Sequence, residues 1–307
     1  MTRLSVTKAY KMYVGGAFVR SESGRYFQVR AQVSANDRSA TGADPETVNI
    51  PQGSRKDARD AVLAAKNAFD GWSARTAFNR GQILYRLAEM LESRRDELAA
   101  SLQRAGLSAK DAEAEVGASV DRAIFYAGFC DKLTALLSSY NPVPGPHFDF
   151  SVPDPMGVIA VVAPAGPALL GLVSTVLPIV AAGNTVVAIA SKHDPRTAVL
   201  FCECLATSDL PGGVINVLTG DAKEIAPHLA KHREVAGIDA WTEDAELRAK
   251  LEAEGSDSVK RVTTHATPAD ARHLEAWYDA ADPQVGQGLG FLERFLETKT
   301  IWHPVGV

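Results

Sequence analysis

His228 and His232 stand four residues apart in AKEIAPHLAKHR, the spacing at which two imidazoles on one helix face can share a metal ion. No third ligand lies nearby, and Lys231 and Arg233 flank them, so a solvated basic helix end is the simpler reading. Glu243 and Asp244 form a carboxylate pair at the head of another helix pattern. Acids in a first helical turn stabilise the macrodipole by about 0.3–1 kcal/mol each, and they also repel a phosphate brought to that turn. His265 closes the strand-like run VKRVTTH. An imidazole there can act as a base, although a strand-end surface position is its ordinary meaning. The cysteines, Cys130, Cys202 and Cys204, have neither metal nor disulfide spacing. Cys202 and Cys204 point to different faces of one helix, and Cys130 falls on an apolar stripe. These groups form no metal set and no catalytic set.

The elements that must position them divide the chain in two. Residues 10–33 alternate and turn, with Gly15-Gly16 and Ser23-Gly24 as hairpin-type turns, and 34–47 is a polar loop. Three helices are then expected. The first carries Ala58, Val62, Ala65, Phe69 and Trp72; the second covers 79–103; the third covers 109–138 with Val116, Val120, Ala123, Ala127 and Cys130 on one stripe. A proline-rich extended stretch, 141–155, follows. From Met156 onward, β-branched runs (VIAVVA, TVVAIA, VINVLT, GIDAW, VKRVTT) alternate with short helices. That pattern predicts an α/β fold with a Rossmann-like parallel sheet covered on both faces. A helical tail and an alternating edge strand, 296–304, end the series.

Composition narrows the class. With 307 residues, 46% hydrophobic and 22% charged, the chain can bury a large core. A net charge of −5 gives no footprint for nucleic acid. The longest apolar stretch, 156–190, is broken by Pro164, Pro167, Pro178 and Gly183, so no membrane span is expected. Three unpaired cysteines and no apolar leader point to a cytoplasmic, reduced protein.

Five stretches in order resemble the aldehyde dehydrogenase superfamily: PMGVIAVVAP, AAGNTVV, DLPGGVINVLTGD, GSDSVKRVT and ETKTIW. Within it the chain looks closest to the C-terminal pseudo-enzyme half of the family-sixteen members. The resemblance implies a dinucleotide-binding-like domain over 1–141 and 155–265 and a small projecting β oligomerisation element over 142–154 and 266–307. It also implies which chemistry is missing. The oxyanion-binding asparagine of the family matches Gly166, and loss of one such donor costs about 2.7–4 kcal/mol. The ribose-binding lysine and glutamate match Ile189 and Lys192, and the phosphate turn becomes Trp241-Thr242-Glu243-Asp244-Ala245. The glutamate base matches His265. Since no cysteine follows residue 204, none matches the nucleophile, and the catalytic domain is read as absent.

The expectation is therefore a non-catalytic aldehyde dehydrogenase-like subunit with no catalytic, cofactor or metal residues, NAD binding being weak at best. Its expected partner is an active aldehyde dehydrogenase subunit, joined through Glu297, Thr298, Lys299, Thr300 and Ile301 to form a hetero-oligomer. The alternatives are weak or shared-site NAD(P)-dependent aldehyde oxidation, and a nucleotide sensor that binds without reacting.

Overall fold

The computed structural model describes residues 8–32, 46–266 and 275–306; most of the expected 34–47 loop lies outside them. The chain opens with a hairpin, β1 (Met12–Val14) and β2 (Ala17–Val19), around Gly15 and Gly16. Both turn glycines have positive φ, 63° and 84°, as a two-residue hairpin turn requires. A Cβ on Gly16 would lie 2.8 Å from the Gly212 Cα, so the turn can seat only glycine against glycine. β3 (Tyr26–Arg30) pairs with β4 (Thr47–Pro51) in a separate two-stranded sheet.

Five helices follow: α1 (Arg55–Ser73), α2 (Ala77–Ser93), α3 (Arg95–Arg104), α4 (Ala109–Phe129) and α5 (Leu133–Leu137). A capping box between Ser54 and Asp57 starts α1. The expected helix over 79–103 breaks at Arg94, which leaves helical backbone (φ −110°, ψ 19°) and reaches Glu203 at 2.8 Å. The expected helix over 109–138 also breaks, between Phe129 and Leu133, and this turn buries both Cys130 and Leu133.

The strand–helix alternation is present as expected. It runs β5 (Ser139–Asn141), β6 (His147–Pro155), β7 (Val158–Val162), α6 (Ala168–Ala181), β8 (Thr185–Ile189), α7 (Pro195–Leu205), β9 (Ile215–Leu218), α8 (Ala222–Lys231), β10 (Val235–Trp241), α9 (Ala245–Ser256) and β11 (Arg261–His265). α10 (Leu289–Glu293) and β12 (Leu296–Pro304) complete the series. The main sheet has the order β11-β10-β7-β8-β9-β1-β2, parallel from β11 to β9. The fold is thus α/β and Rossmann-like, with its switch point between β7 and β10. Successive residues of β7 serve opposite faces. Ile159 and Val161 pack into the cluster of α2, α4, α6 and α7; Val158, Ala160 and Val162 pack into that of α1, α8 and α9. This two-sided burial is why the strands read as unbroken apolar runs.

A second sheet, β12-β6-β5, has β6 in the middle and carries β12 as an edge strand. Its long register runs from Leu296↔Pro155 to Pro304↔His147. The prolines fix which way its hydrogen bonds point. Pro153, opposite Thr298, and Pro155, opposite Leu296, cannot donate, so even-numbered β12 positions form the non-hydrogen-bonded pairs. The odd-numbered Val305 accordingly donates to Pro146 on the inner side. Thr298, Thr300 and Trp302 therefore aim their backbone groups away from β6, toward the free edge.

The expected division gave all of 266–307 to the projecting element. Of the described residues in that stretch, only β12 and the short end beyond it fit this description. Trp277, Val285, Phe291, Leu292 and Phe295 are buried against the main domain instead. Their backbone is gripped by Arg122 of α4, which donates to the Trp277, Val285 and Gly286 carbonyls and to Ser174 Oγ.

Candidate functional site

In an open parallel sheet, a ligand belongs in the crevice at the carboxyl ends of the strands, facing helix N-termini. Here those termini are already served by the chain's own carboxylates. Glu115 of α4 is buried beneath the start of α6 and accepts from the Leu169 and Leu170 N–H groups at 2.7 and 3.2 Å. Asp244 is the N-cap of α9 and accepts from Leu247 N–H at 2.9 Å, so it and Glu243 precede the first turn in which both were expected. Asp221 likewise caps α8 through Lys223 N–H.

Ion pairs tie the crevice loops together. Lys192 reaches Asp221 at 2.9 Å, and this bond holds the Asp221 carboxyl below its ordinary range. Lys223 pairs with Asp244. Ser191 Oγ donates to the Ala165 carbonyl at 2.8 Å, closing the loop after β8 onto the loop after β7. Ile189, at the end of β8, is buried in the apolar cluster under α8 and presents no polar group. About 310 Å³ of space remains between Ser191, Lys192, Asp221 and Thr242.

His265 is not a free strand-end histidine. In the β10–β11 register it lies opposite Trp241, and the rings stack at 3.7 Å with 11° between planes. Its Nε2 sits 2.9 Å from Asp239 Oδ1, while Trp241 Nε1 donates to Asp239 Oδ2 at 2.7 Å. Trp277 packs on the other partner, 5.2 Å from Trp241. The stack and the Asp239 contact together fix the orientation of the ring.

The thiols are equally withdrawn. Burial pushes Cys130 up to about 12 and Cys204 up to about 11, and raises Cys202 as well. A thiol with such a pKa offers almost no thiolate near neutrality. Among the described residues, no group of three or more His, Cys, Asp or Glu side chains is placed to hold a metal. His228 and His232 line a separate basic cleft with Arg55, Arg59 and Lys231.

Sequence reading missed Glu115, Arg122, Asp239 and Trp277. The first two had a signal: 115, 119, 122 and 126 repeat at helical spacing beside the apolar stripe, a polar row that a two-sided buried helix must satisfy internally. Asp239 in the apolar run GIDAW was a second.

Glu115 carries a testable charge. Burial, acting against the two N–H bonds, raises its pKa from 4.5 to about 7. The raised pKa means that the folded state binds the proton more tightly than the unfolded one. Stability is thus fully retained below the unfolded pKa and falls between roughly pH 4.5 and 7 as the carboxyl ionises, the loss approaching about 3 kcal/mol. Glu115→Gln keeps the accepting oxygen and removes the titration. Its urea-unfolding free energy should stay flat across that window, and it should exceed that of the unaltered chain at pH 8. A variant with the same pH slope would mean that another group sets it.

A doubly covered parallel sheet with a crevice at its switch point defines a dinucleotide-fold protein, here with the crevice's polar groups paired to one another. Comparison with known proteins gives the family. Residues 35–266 match the model of the aldehyde dehydrogenase family. The chain is 30% identical over 241 residues to the cytosolic 10-formyltetrahydrofolate dehydrogenase of Mus musculus, covering 77% of this chain and 26% of that protein. The Xenopus tropicalis protein of the same name is 31% identical over 243 residues, with 78% and 26% covered. Among solved structures, an NAD-dependent aldehyde dehydrogenase from Sinorhizobium meliloti superimposes with a TM-score of 0.75 at 26% identity, covering 84% of this chain and 50% of that one. This chain belongs to the aldehyde dehydrogenase family. It spans about a quarter of the length of these curated relatives and half that of the solved enzyme.

Among the described residues, no helix is long and apolar enough to cross a membrane.

Proposed function

We propose that this chain is a non-catalytic aldehyde dehydrogenase-like subunit that binds an active member of the family through the free edge of β12. The observation that carries the reading is the self-paired crevice. Lys192–Asp221 and Lys223–Asp244 use groups that would otherwise be open to a dinucleotide, and Gly166, Ile189 and His265 match, by resemblance, the family's catalytic and ribose-binding residues. Carboxylates at the α9 N-terminus repel a pyrophosphate where the fold would place it. Glu297, Thr298, Lys299, Thr300 and Ile301 supply the edge, and half-exposed Phe148 and Trp302 lie in the same sheet. Unpaired edges of this kind attract strands, so β-augmentation onto the partner's sheet is the fitting mode. The partner's activity is then completed, stabilised or regulated.

Two measurements test the inactive half of this reading. The purified chain should show no aldehyde-dependent reduction of NAD or NADP, and calorimetry should give NAD affinity poorer than about 1 mM. Glu243→Gly with Asp244→Ser should improve that affinity, because serine keeps the α9 cap while both charges go. Ile189→Lys would not help, since it would bury an ammonium in an apolar cluster. Turnover by the unaltered chain would overturn the reading. The remaining crevice volume favours one second reading, a nucleotide sensor, and micromolar NAD binding without turnover would establish it.

A further inference from the structure

We propose that the cleft between α1 and α8 is a binding site for a small phosphorylated molecule, held through its phosphate by Arg55, Arg59, Lys231, His228 and His232. These five residues line a cavity of about 450 Å³, and every one of them is basic. The volume falls in the usual range of small-molecule sites, about 300–1,000 Å³. It shares no lining residue with the crevice at the strand ends.

The concentration of cations is not explained by composition, because the chain as a whole carries −5. Nor do helix dipoles explain all of it. His228 and Lys231 occupy the last turn of α8, where positive charge is favourable. Arg55 is the first residue of α1, where positive charge is unfavourable, and Arg59 lies one turn further on the same face. Lys56, beside them, is neutralised by Glu22 at 2.8 Å. Arg55 meets no carboxylate among the described residues, whereas Arg59 pairs with its neighbour Asp60 and Lys231 with Glu254. The arrangement therefore leaves Arg55 uncompensated at a helix start, a cost that a bound dianion offsets. Two guanidinium forks i,i+4 apart suit phosphate oxygens better than any monovalent anion.

The histidines report on the same field. His228 is pushed below its ordinary pKa by burial and then by Arg55, Lys231 and Lys250, with Glu224 opposing. His232 is lowered by burial and by Lys260, with Glu234 opposing. A phosphate in the cleft opposes these repulsions and favours the imidazolium. Binding therefore raises the histidines' proton affinity, which offsets the charge the phosphate itself loses as pH falls.

Calorimetric titration of the full chain with inorganic pyrophosphate tests the proposal, with orthophosphate and glycerol 3-phosphate as parallel arms at equal ionic strength. One saturable site is expected, and between pH 7.5 and 5.5, where the phosphate itself gains a proton, its affinity should fall less than that of the His228→Gln, His232→Gln variant. The Arg55→Gln, Arg59→Gln double variant should bind at least about tenfold more weakly, since it removes both forks. Arg86→Gln, an exposed arginine paired with Glu89 elsewhere, should leave binding unchanged. With His228→Gln and His232→Gln the compensation is lost, and affinity should fall more steeply toward pH 5.5, following the phosphate's own protonation; an unchanged pH profile would remove the histidines from the site. Tighter binding of glycerol 3-phosphate than orthophosphate identifies an organic ester, and the reverse identifies a free phosphate. No saturable binding, equal weakening by Arg86→Gln, or affinity that climbs steadily with polyphosphate length would overturn the assignment of a bounded site.

Discussion

Arg122→Ala should lower the unfolding free energy by about 4 kcal/mol and open the 275–295 segment to limited proteolysis. The side chain is 2% exposed. It donates to Ser174 Oγ at 2.8 Å, to the Val285 and Trp277 carbonyls at 3.2 and 3.1 Å, and to the Gly286 carbonyl. Alanine leaves these acceptors unpaired in the interior and removes the bond between α4 and the segment that covers Trp241. Arg122→Lys should recover part of the loss, because three of the four acceptors meet the single Nη1 and only the Trp277 carbonyl meets Nη2. Urea unfolding gives the cost, and mass spectrometry of protease fragments locates the opening. If the segment stays protected and the cost is below about 1 kcal/mol, Trp277, Phe291 and Phe295 hold it by burial alone.

Thr298→Pro should abolish capture of an active aldehyde dehydrogenase on co-expression while leaving this chain folded. The alternation set by Pro153 and Pro155 turns the Thr298 N–H toward the free edge, so a proline there removes an outward donor and no inner one. Lys299→Pro is the internal comparison. Its N–H faces β6, so this change should loosen β12 from its own sheet and lower thermal stability. Tandem purification measures the first effect, and a thermal melt the second. A Thr298→Pro chain that still co-purifies with the enzyme would exclude the β12 edge as the contact.

The main sheet was legible because β7, β8 and β9 are buried on both faces, which turns a three-dimensional arrangement into continuous apolar runs. Hairpin β1–β2 was legible from Gly15-Gly16, whose conformation few other residues tolerate. Helix breaks at Arg94 and after Phe129 were not, since each depends on a tertiary contact that local periodicity does not encode. The crevice was half legible. Motif positions located Gly166, Ile189, Lys192, Glu243 and His265, but nothing local could say that Lys192 would meet Asp221 or that Trp241 would stack on His265. Those pairings exist only once neighbouring loops and strands are in register. Trp277 was obscure for the same reason: its seat is made by α4 and β10, far away in the chain.

The position of β1 has a consequence in time. Gly15 donates to Asn216 across 201 positions, and Tyr13 pairs with Val217, so β1 docks on a strand made some two hundred residues later. At about 5–20 residues per second, a ribosome needs roughly 10–40 s to deliver that partner. Through that interval the nascent hairpin must hold Met12 and Tyr13, both buried in the finished molecule, without a sheet to join. Synthesis of β9 is therefore the earliest point at which the β1–β2 hairpin can join the sheet. Chains arrested before residue 215 should remain bound to chaperones, however complete their helices.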